Sequence, residues 1–287
     1  MPEPELTLTT SSAKQSGDED LLRVNPINAH PSLWLSVGSL WFREIRAFYR
    51  QRSRVVGSLA TPFIFWLLLG SGFSRSFRAD IEAEALEFFF PGMVTMVVLF
   101  TAIFSNISII EDRREGFLLS VLAAPVPRPV LVLGKVLGAT TIGLIQGIIF
   151  LIPAPFLGLA FDPAKLPAIL VVIVGMMLGL TGLSFFFAWW LNSVQGFHAI
   201  MNLVLMPLWI LSGAIFPTAG AAEWMQWAMK VNPLSYGVIA LRSLFSSTGS
   251  ADYSLVLSCI AVLATFAVVT LSAAFYQVSR PSARHLS

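Results

Sequence analysis

The sequence predicts an all-α membrane protein with six transmembrane helices, and three observations lead to that fold class. Apolar residues make up 56% of the 287-residue chain and charged residues only 12%, about half the share found in soluble domains. The mean hydropathy is +0.76. Uncharged runs of about 18 residues or more recur, and each is long enough to cross a bilayer as a helix.

Two features precede the first span. Residues 1–33 are polar, and because they lack an apolar core before a small-residue cleavage site, we expect a disordered tail and no signal peptide. Residues 34–54 have the basic amphipathic pattern of a helix on the membrane surface, although a surface helix packed on protein has the same pattern. Charged residues such as Glu44 populate the polar sides of this helix. Its apolar face consists of Val37, Leu40, Trp41, Ile45 and Phe48.

The six predicted spans contain no aspartate or glutamate, which argues against a proton-driven pump. Polar residues inside them, such as Gln146, favour interhelical hydrogen bonds, with substrate contact as the alternative. Glycines spaced four residues apart, as in Gly134 and Gly138, favour close helix packing. The spans are residues 55–73, 88–110, 136–159, 166–191, 199–217 and 253–278.

The stretch between the second and third spans combines a charged head, an apolar run and a proline-rich breaker. The head is Glu111, Asp112, Arg113, Arg114 and Glu115, the run is 117–124, and the breaker is 125–129. We expect residues 111–124 to form a short helix lying across the membrane face, with its charged end open to a soluble partner. The alternative is that the head is only the solvated end of the second span.

Residues 218–252, between the fifth and sixth spans, predict two short helices. Asn232 has the side chain of an N-cap and Pro233 suits the first helical position. Trp224, Trp227 and Val231 share one face of the preceding helix. Because neither piece is long enough to cross a bilayer, we expect both to dip into one leaflet and pack against protein.

Lysine and arginine counts predict the orientation. With six spans both termini lie on one side, which also holds the 111–135 loop and carries 13 of the 18 basic residues, leaving five for the other side. The positive-inside rule therefore predicts a bacterial-type plasma membrane protein with both termini in the cytoplasm, including a tail at 279–287. The two short helices at 218–252 then face outward.

Signals of catalysis and of nucleic-acid binding are missing from the sequence. It contains neither the G-x-x-x-x-G-K-[ST] nor the H-E-x-x-H motif, and its three histidines lie in separate segments. The net charge of +2 does not indicate a nucleic-acid partner. We therefore expect a chain without enzymatic activity, metal or cofactor, whose energy source lies in another protein.

Two long motifs resemble the membrane subunits of type-2 ABC exporters, the permeases of drug, nodulation-factor and polysaccharide export. Residues 111–138 are similar to the family pattern E-R-E-x-G-T-L-x-x-L-x-x-T-P-V-x-R…G-K, apart from Phe117 and Ala124, which stand where threonine is common. Residues 212–242 are similar to the family's external segment. The matching positions are Glu115, Gly116, Leu119, Pro125, Arg128, Gly134, Lys135 and Gln146 in or after the first motif, and Phe216, Pro217, Trp224, Asn232, Pro233, Tyr236 and Arg242 in the second.

The resemblance covers residues 34–278 and implies a mechanism. Two permeases, identical or paralogous, would pair in the bilayer, and two separate ABC ATPase subunits holding ATP and Mg²⁺ would dock on their cytoplasmic loops. The 111–124 helix would be the coupling helix, and the short external helices would cap the exit of a pathway for an amphipathic or lipid-linked substrate.

Two other functions remain open at this point. In the first, the ATPase drives a partner through this chain, which then acts as a membrane scaffold or sensor and transports nothing. In the second, the chain is a membrane-embedded transferase, but such an enzyme needs acidic or histidine clusters at a membrane-facing loop, and the sequence has none there.

Overall fold

The computed structural model describes residues 32–77, 82–123, 127–157, 162–246 and 252–279, and within them the chain is helical and has no β-strand. Most of the predicted tails, residues 1–31 and 280–287, lies outside the described residues. The helices are α1 Leu33–Arg50, α2 Arg52–Phe77, α3 Glu82–Arg114, α4 Phe117–Ala123, α5 Pro129–Leu151, α6 Leu166–Trp190, α7 Val194–Trp209, α8 Glu223–Val231, α9 Pro233–Phe245 and α10 Tyr253–Ser279.

Six segments of the described chain are long and apolar enough to cross a membrane, which confirms the predicted number of spans. They are Arg52–Gly72, Leu86–Arg114, Pro129–Leu151, Pro163–Trp190, Val194–Ala214 and Tyr253–Ser279. The span in α3 is 89% buried, whereas those in α2 and α10 are 22% and 28% buried. The second span is therefore the central helix, and the first and last spans lie at the periphery.

The predicted bounds of the third span, residues 136–159, are wrong by about two turns. The helix begins at Pro129, where proline has the φ that a first helical residue needs and lacks only an N–H that would go unused. It ends at Leu151, ahead of Pro153 and Pro155, neither of which supplies a backbone donor. Lys135, which the sequence placed before the span, therefore lies inside the helix and is buried.

Glycines let the helices approach closely, as their spacing predicted. A Cβ atom added at Gly134 would lie 2.6 Å from the Leu40 Cβ of α1, and one at Gly138 would lie 2.7 Å from the Glu44 Cβ. Further along α5, Gly143 and Gly147 face residues of α6. On α6 itself, Gly175 and Gly179 face α10.

Helix α1 packs lengthwise on α5, so the predicted amphipathic helix uses one face to bind protein. Successive turns of α1 meet successive turns of α5, and Trp41 Nε1 donates to Thr141 Oγ1 over 3.0 Å. The expectation that Glu44 lies on a polar side is wrong, because Glu44 is buried on the packed face. The other side of α1 exposes Trp34 and Phe42, by 82% and 59%.

The two short helices before the last span are present, and each is too short to cross a bilayer. The Asn232 side chain accepts from Leu234 N over 3.0 Å, which confirms the predicted N-cap of α9. Most of α9 is buried against its neighbours. Helix α8 is more exposed, and its Trp224, Trp227 and Val231 side chains are each more than 60% exposed on one face.

Gly138→Ala should lower the stability of the protein. The new methyl group meets the Glu44 Cβ, which is attached directly to a helix backbone, so α1 and α5 must move apart, at a cost of about 1–3 kcal/mol. Scanning fluorimetry of the detergent-purified protein measures the change in Tm.

Gly38→Ala on α1 is the matched control. Nothing lies within 4 Å of an added Cβ there, and alanine favours a helix over glycine by about 0.5–1 kcal/mol. Its Tm should equal or exceed that of the parent protein. An equal fall in both variants would contradict the proposed close contact at Gly138.

Candidate functional site

A buried lysine joins three helices at one end of the bundle. Lys135 of α5 is 3% exposed, and its ammonium group donates to Glu44 Oε1 on α1 over 2.8 Å. It also donates to Asp112 Oδ2 and Ser108 Oγ on α3, over 2.7 Å and 2.9 Å. The Ser108 hydroxyl in turn donates to Glu44 Oε2 over 2.7 Å. The three donors of the ammonium group are thus all satisfied inside the protein.

Arg43 of α1 also contacts Glu44 and Asp112, and its positive charge balances the second carboxylate. Its guanidinium donates to both oxygens of Asp112, with Nη1 3.1 Å from Oδ2, and to Glu44 Oε1 over 3.2 Å. These hydrogen bonds, chiefly that with Asp112, raise the pKa of Arg43 above its ordinary value. We call Arg43, Glu44, Asp112 and Lys135 the charge cluster; its two cations and two carboxylates balance, as buried charges require.

The charge cluster also contacts the helix that follows. The Arg43 guanidinium lies over the Phe117 ring of α4, 3.6 Å from its centroid, within the range of a cation–π interaction. Phe117 is one of the two departures from the motif noted in the sequence, and this contact gives it a structural role. One arginine thereby links α1, α3 and α4.

Gly116 separates α3 from α4, and the predicted single helix over residues 111–124 is therefore wrong in its bounds. Residues Glu111–Arg114 are the last turn of α3, and only Phe117–Ala123 form the short helix. Gly116 has a φ of 76°, and its N–H donates to Arg113 O over 3.2 Å. Glycine adopts this left-handed conformation without strain, which is why helices so often end at it.

The charged head makes contacts within the protein. Glu111 pairs with Arg54 of α2, and Asp112 is only 3% exposed, so the expectation of an open charged end is wrong for Asp112. The side chains of Arg114 and Glu115 are exposed at the turn. Glu115 is thus the carboxylate of the head that a soluble partner can reach most directly.

Two arginines of the head hold the turn between α6 and α7. Arg113 donates to Trp189 O over 2.7 Å, to Leu191 O over 3.2 Å and to Asn192 Oδ1 over 2.9 Å. Arg114 donates to Asn192 O from Nε and Nη2, over 3.1 Å and 2.9 Å. We call these contacts the arginine bridge. They bring cations to the carbonyl end of α6, where the helix dipole favours them.

The remaining residues of the first motif have mainly structural surroundings. Leu119 lies in α4, Pro125 lies outside the described residues, and Arg128 Nη1 is 3.5 Å from Val278 O of α10. Gln146 is fully buried, and its Oε1 accepts from Ser58 Oγ and Thr101 Oγ1 over 2.5 Å and 3.1 Å. The predicted interhelical hydrogen bonds of Gln146 are thus confirmed.

The second motif lies at the opposite end of α3. About 24 residues separate Phe88 from Asp112, or roughly 36 Å of helix. Arg242 Nη2 donates to Gly213 O over 3.0 Å, and the guanidinium lies over the Phe88 ring. Burial lowers the pKa of Arg242. These contacts hold the π-turn Ile210–Ala214 that follows α7.

Other residues of this motif lie in or next to the segments around this turn. Asn232 Nδ2 donates to Leu208 O over 2.6 Å, and Tyr236 OH donates to Lys230 O over 2.8 Å. Pro233 starts α9, Pro217 precedes a short 3₁₀ turn, and Phe216 is 45% exposed. The structure therefore does not bring the two motifs together; each organises one end of the bundle.

Sequence reasoning missed Glu44, Arg43, Arg54 and Asn192 as members of these contacts. For Glu44 a signal existed, because it lies four residues after Leu40 and four before Phe48, on the same helical face. No comparable signal marks Asn192, since its contacts join parts of the chain almost 80 residues apart. Within the described ranges, no group of histidine, cysteine, aspartate and glutamate side chains has the arrangement of a metal site.

Lys135→Met should destabilise the protein strongly, by about 3–5 kcal/mol, because two buried carboxylates then share one arginine. Adding Glu44→Gln removes one of those carboxylates and should restore most of the lost stability. Thermal unfolding of the single and double variants forms a double-mutant cycle. Additive losses in the double variant would show that Glu44 and Lys135 do not interact.

Comparison with known proteins agrees with this architecture. The family model described as ABC-2 type transporter matches residues 36–246. The chain is similar to the daunorubicin resistance ABC transporter permease protein DrrB1 of Streptomyces coeruleorubidus, with 27% identity over 81% of this chain and 83% of that protein.

Two further relatives have comparable similarity. The putative transport permease ycf38 of Cyanophora paradoxa is 26% identical over 78% of this chain and 81% of its own. The inner membrane transport permease YadH of Escherichia coli K12 is 27% identical over 73% of this chain and 82% of its own. The matched region holds both motifs, the charge cluster and the arginine bridge. With its six apolar helices, the chain belongs to the ABC-2 type transporter family, as a multi-pass membrane permease subunit of an ABC transporter.

Proposed function

We propose that this chain is the permease of an ATP-driven exporter, and that the turn at Gly116 with α4 is where the ATPase pushes. Two ATPase subunits holding ATP and Mg²⁺ would dock on two permeases, which are copies of this chain or paralogues. The proposal rests on how the contacts of this turn are arranged. It presents Glu115 to solvent while the residues on both sides of it are anchored in the bundle.

The anchoring supports force transfer because a push is passed on only through stiff contacts. On one side Phe117 of α4 packs against Arg43 of the charge cluster, and Arg43 is paired with Asp112. On the other side the arginine bridge joins the turn to the start of α7. Displacement of the turn would therefore move α1, α5 and α7 together, and α7 leads to the π-turn at the far end of the bundle.

The proposed orientation places this turn in the cytoplasm. The basic residues Arg43, Arg46, Arg50, Arg52 and Arg54 lie at the same end of the bundle as the turn, whereas the opposite end holds Lys165, Lys230 and Arg242. This asymmetry supports cytoplasmic termini and an outward-facing α8–α9 pair. ABC ATPases are cytoplasmic, so the partner and the exposed Glu115 would lie on the same side.

The proposed direction of transport is export, and the proposed substrate is amphipathic or lipid-linked. The relative DrrB1 is named for daunorubicin resistance, and resistance to a drug fits transport out of the cell. Among the described residues, the charged side chains that are buried belong to the charge cluster. The rest of the bundle interior therefore suits an amphipathic or lipid-linked cargo. A scaffold or sensor driven by the same ATPase would use the same turn, and a transport assay separates the two.

Glu115→Lys should weaken binding of the cognate ATPase by about tenfold or more, because charge reversal at a docking surface places like charges together or removes an attractive pair. Co-purification and ATPase stimulation in proteoliposomes measure the effect. Gly116→Pro should abolish stimulation, because proline cannot adopt a φ of 76° and lacks the N–H that reaches Arg113 O.

Glu223→Lys on α8 is the matched control, since it makes the same charge change on an exposed residue at the other end of the bundle. It should leave ATPase binding and stimulation unchanged. If Glu115→Lys and Gly116→Pro both behaved like Glu223→Lys, the turn would not be the site where the ATPase acts.

A further inference from the structure

A polar cleft of about 110 Å³ opens between α1, α2 and α3. Three of its four carboxylates are already paired, Glu44 and Asp112 in the charge cluster and Glu111 with Arg54. Arg50 and Glu115 line the same cleft with exposed side chains, and neither has an ion-pair partner among the described residues. The mouth of the cleft thus presents one cation and one anion.

An apolar groove of about 400 Å³ lies along α2, and its lining starts one residue after the last residue of α2 that lines the polar cleft. Gln51 and Arg54 line the cleft, and the next residue, Val55, is the first to line the groove. The groove continues along α2 to Phe63, about 12 Å further at 1.5 Å per residue. Its other wall is Ile149, Phe150 and Pro153 at the end of α5.

The groove marks a seam where α2 and α5 are joined weakly. Ser58 Oγ and Gln146 Oε1 connect the two helices inside the bundle, while Val56 and Ile149 remain 60% and 41% exposed at its surface. The volume of the groove is in the range of small-molecule sites. An elongated apolar molecule would fill it and cover these side chains.

A buried hydroxyl in the cleft also lacks a partner. Ser105 is 9% exposed and lines the cleft, and its Oγ has no acceptor or donor within the described residues. Buried polar groups are nearly always hydrogen-bonded. An oxygen atom of a ligand in the cleft would give the Ser105 hydroxyl a hydrogen-bond partner.

We propose that the cleft and the groove together bind one resident phospholipid with an ammonium headgroup. Its phosphate would pair with Arg50, because guanidinium groups bind phosphate oxygens strongly, and its ammonium group would lie toward Glu115. The upper part of one acyl chain would occupy the groove from Val55 to Phe63. The lipid would close the seam between α2 and α5 and is distinct from any transported substrate.

Arg50→Gln should reduce retention of this lipid about fivefold, as expected for losing one basic contact with a lipid headgroup. Ala60→Trp, which fills the groove, should reduce it at least as much. The full-length protein is purified in mild detergent, delipidated, and incubated with detergent micelles that contain phosphatidylethanolamine or phosphatidylglycerol. Native mass spectrometry then counts the lipids bound to each protein.

Arg52→Gln and Leu68→Trp are the matched controls, because both residues lie on α2, are exposed and line neither cavity. They should retain one phosphatidylethanolamine, and the parent protein should prefer it to phosphatidylglycerol. Equal retention in all variants, equal loss in tests and controls, or preference for phosphatidylglycerol would overturn the proposal. If Arg50→Gln fails to fold, the comparison of Ala60→Trp with Leu68→Trp decides alone.

Discussion

The ammonium group of Lys135 lies inside the protein, and three helices meet around it. Burying an ion costs several kcal/mol unless it is paired and hydrogen-bonded, so Glu44 and Asp112 must stay where they are for Lys135 to be tolerated. That requirement fixes α1 and α3 against α5. Gly134 and Gly138 make the arrangement possible, because larger side chains there would hold α1 too far away for Glu44 to reach.

The same end of the bundle combines this rigid group with one exposed turn. Gly116 lets the chain leave α3 and start α4 at once, and the arginine bridge ties the end of α3 to the start of α7. A soluble partner that presses on the turn therefore acts on several helices through short, charge-assisted contacts. At the far end Arg242 holds the π-turn after α7, so α7 connects the two organised ends.

Composition and periodicity were enough to predict the helical fold, the six spans and the packing role of the glycines, because these depend on local patterns. The bounds of the third span could not be read from hydropathy, since Lys135 looks like the edge of a span until its buried partners are known. Asp112 looked like a charge that faces a partner protein, because the sequence does not show that it is buried beside Lys135. Glu44 could have been recognised from its position between Leu40 and Phe48. The arginine bridge could not, because it depends on how distant segments fold together.

The turn at Gly116 and the start of α7 should move as one body, because the arginine bridge joins them. Spin labels at Ser120→Cys on α4 and Ala199→Cys on α7, both exposed, with Cys259→Ala to remove the native thiol, report their separation by double electron–electron resonance in the complex with the ATPase. We expect the distance between the two labels within one permease to be narrow and the same with and without trapped nucleotide, and to become a broad distribution after Arg113→Gln. A distance that shifts with nucleotide in the parent protein would contradict it.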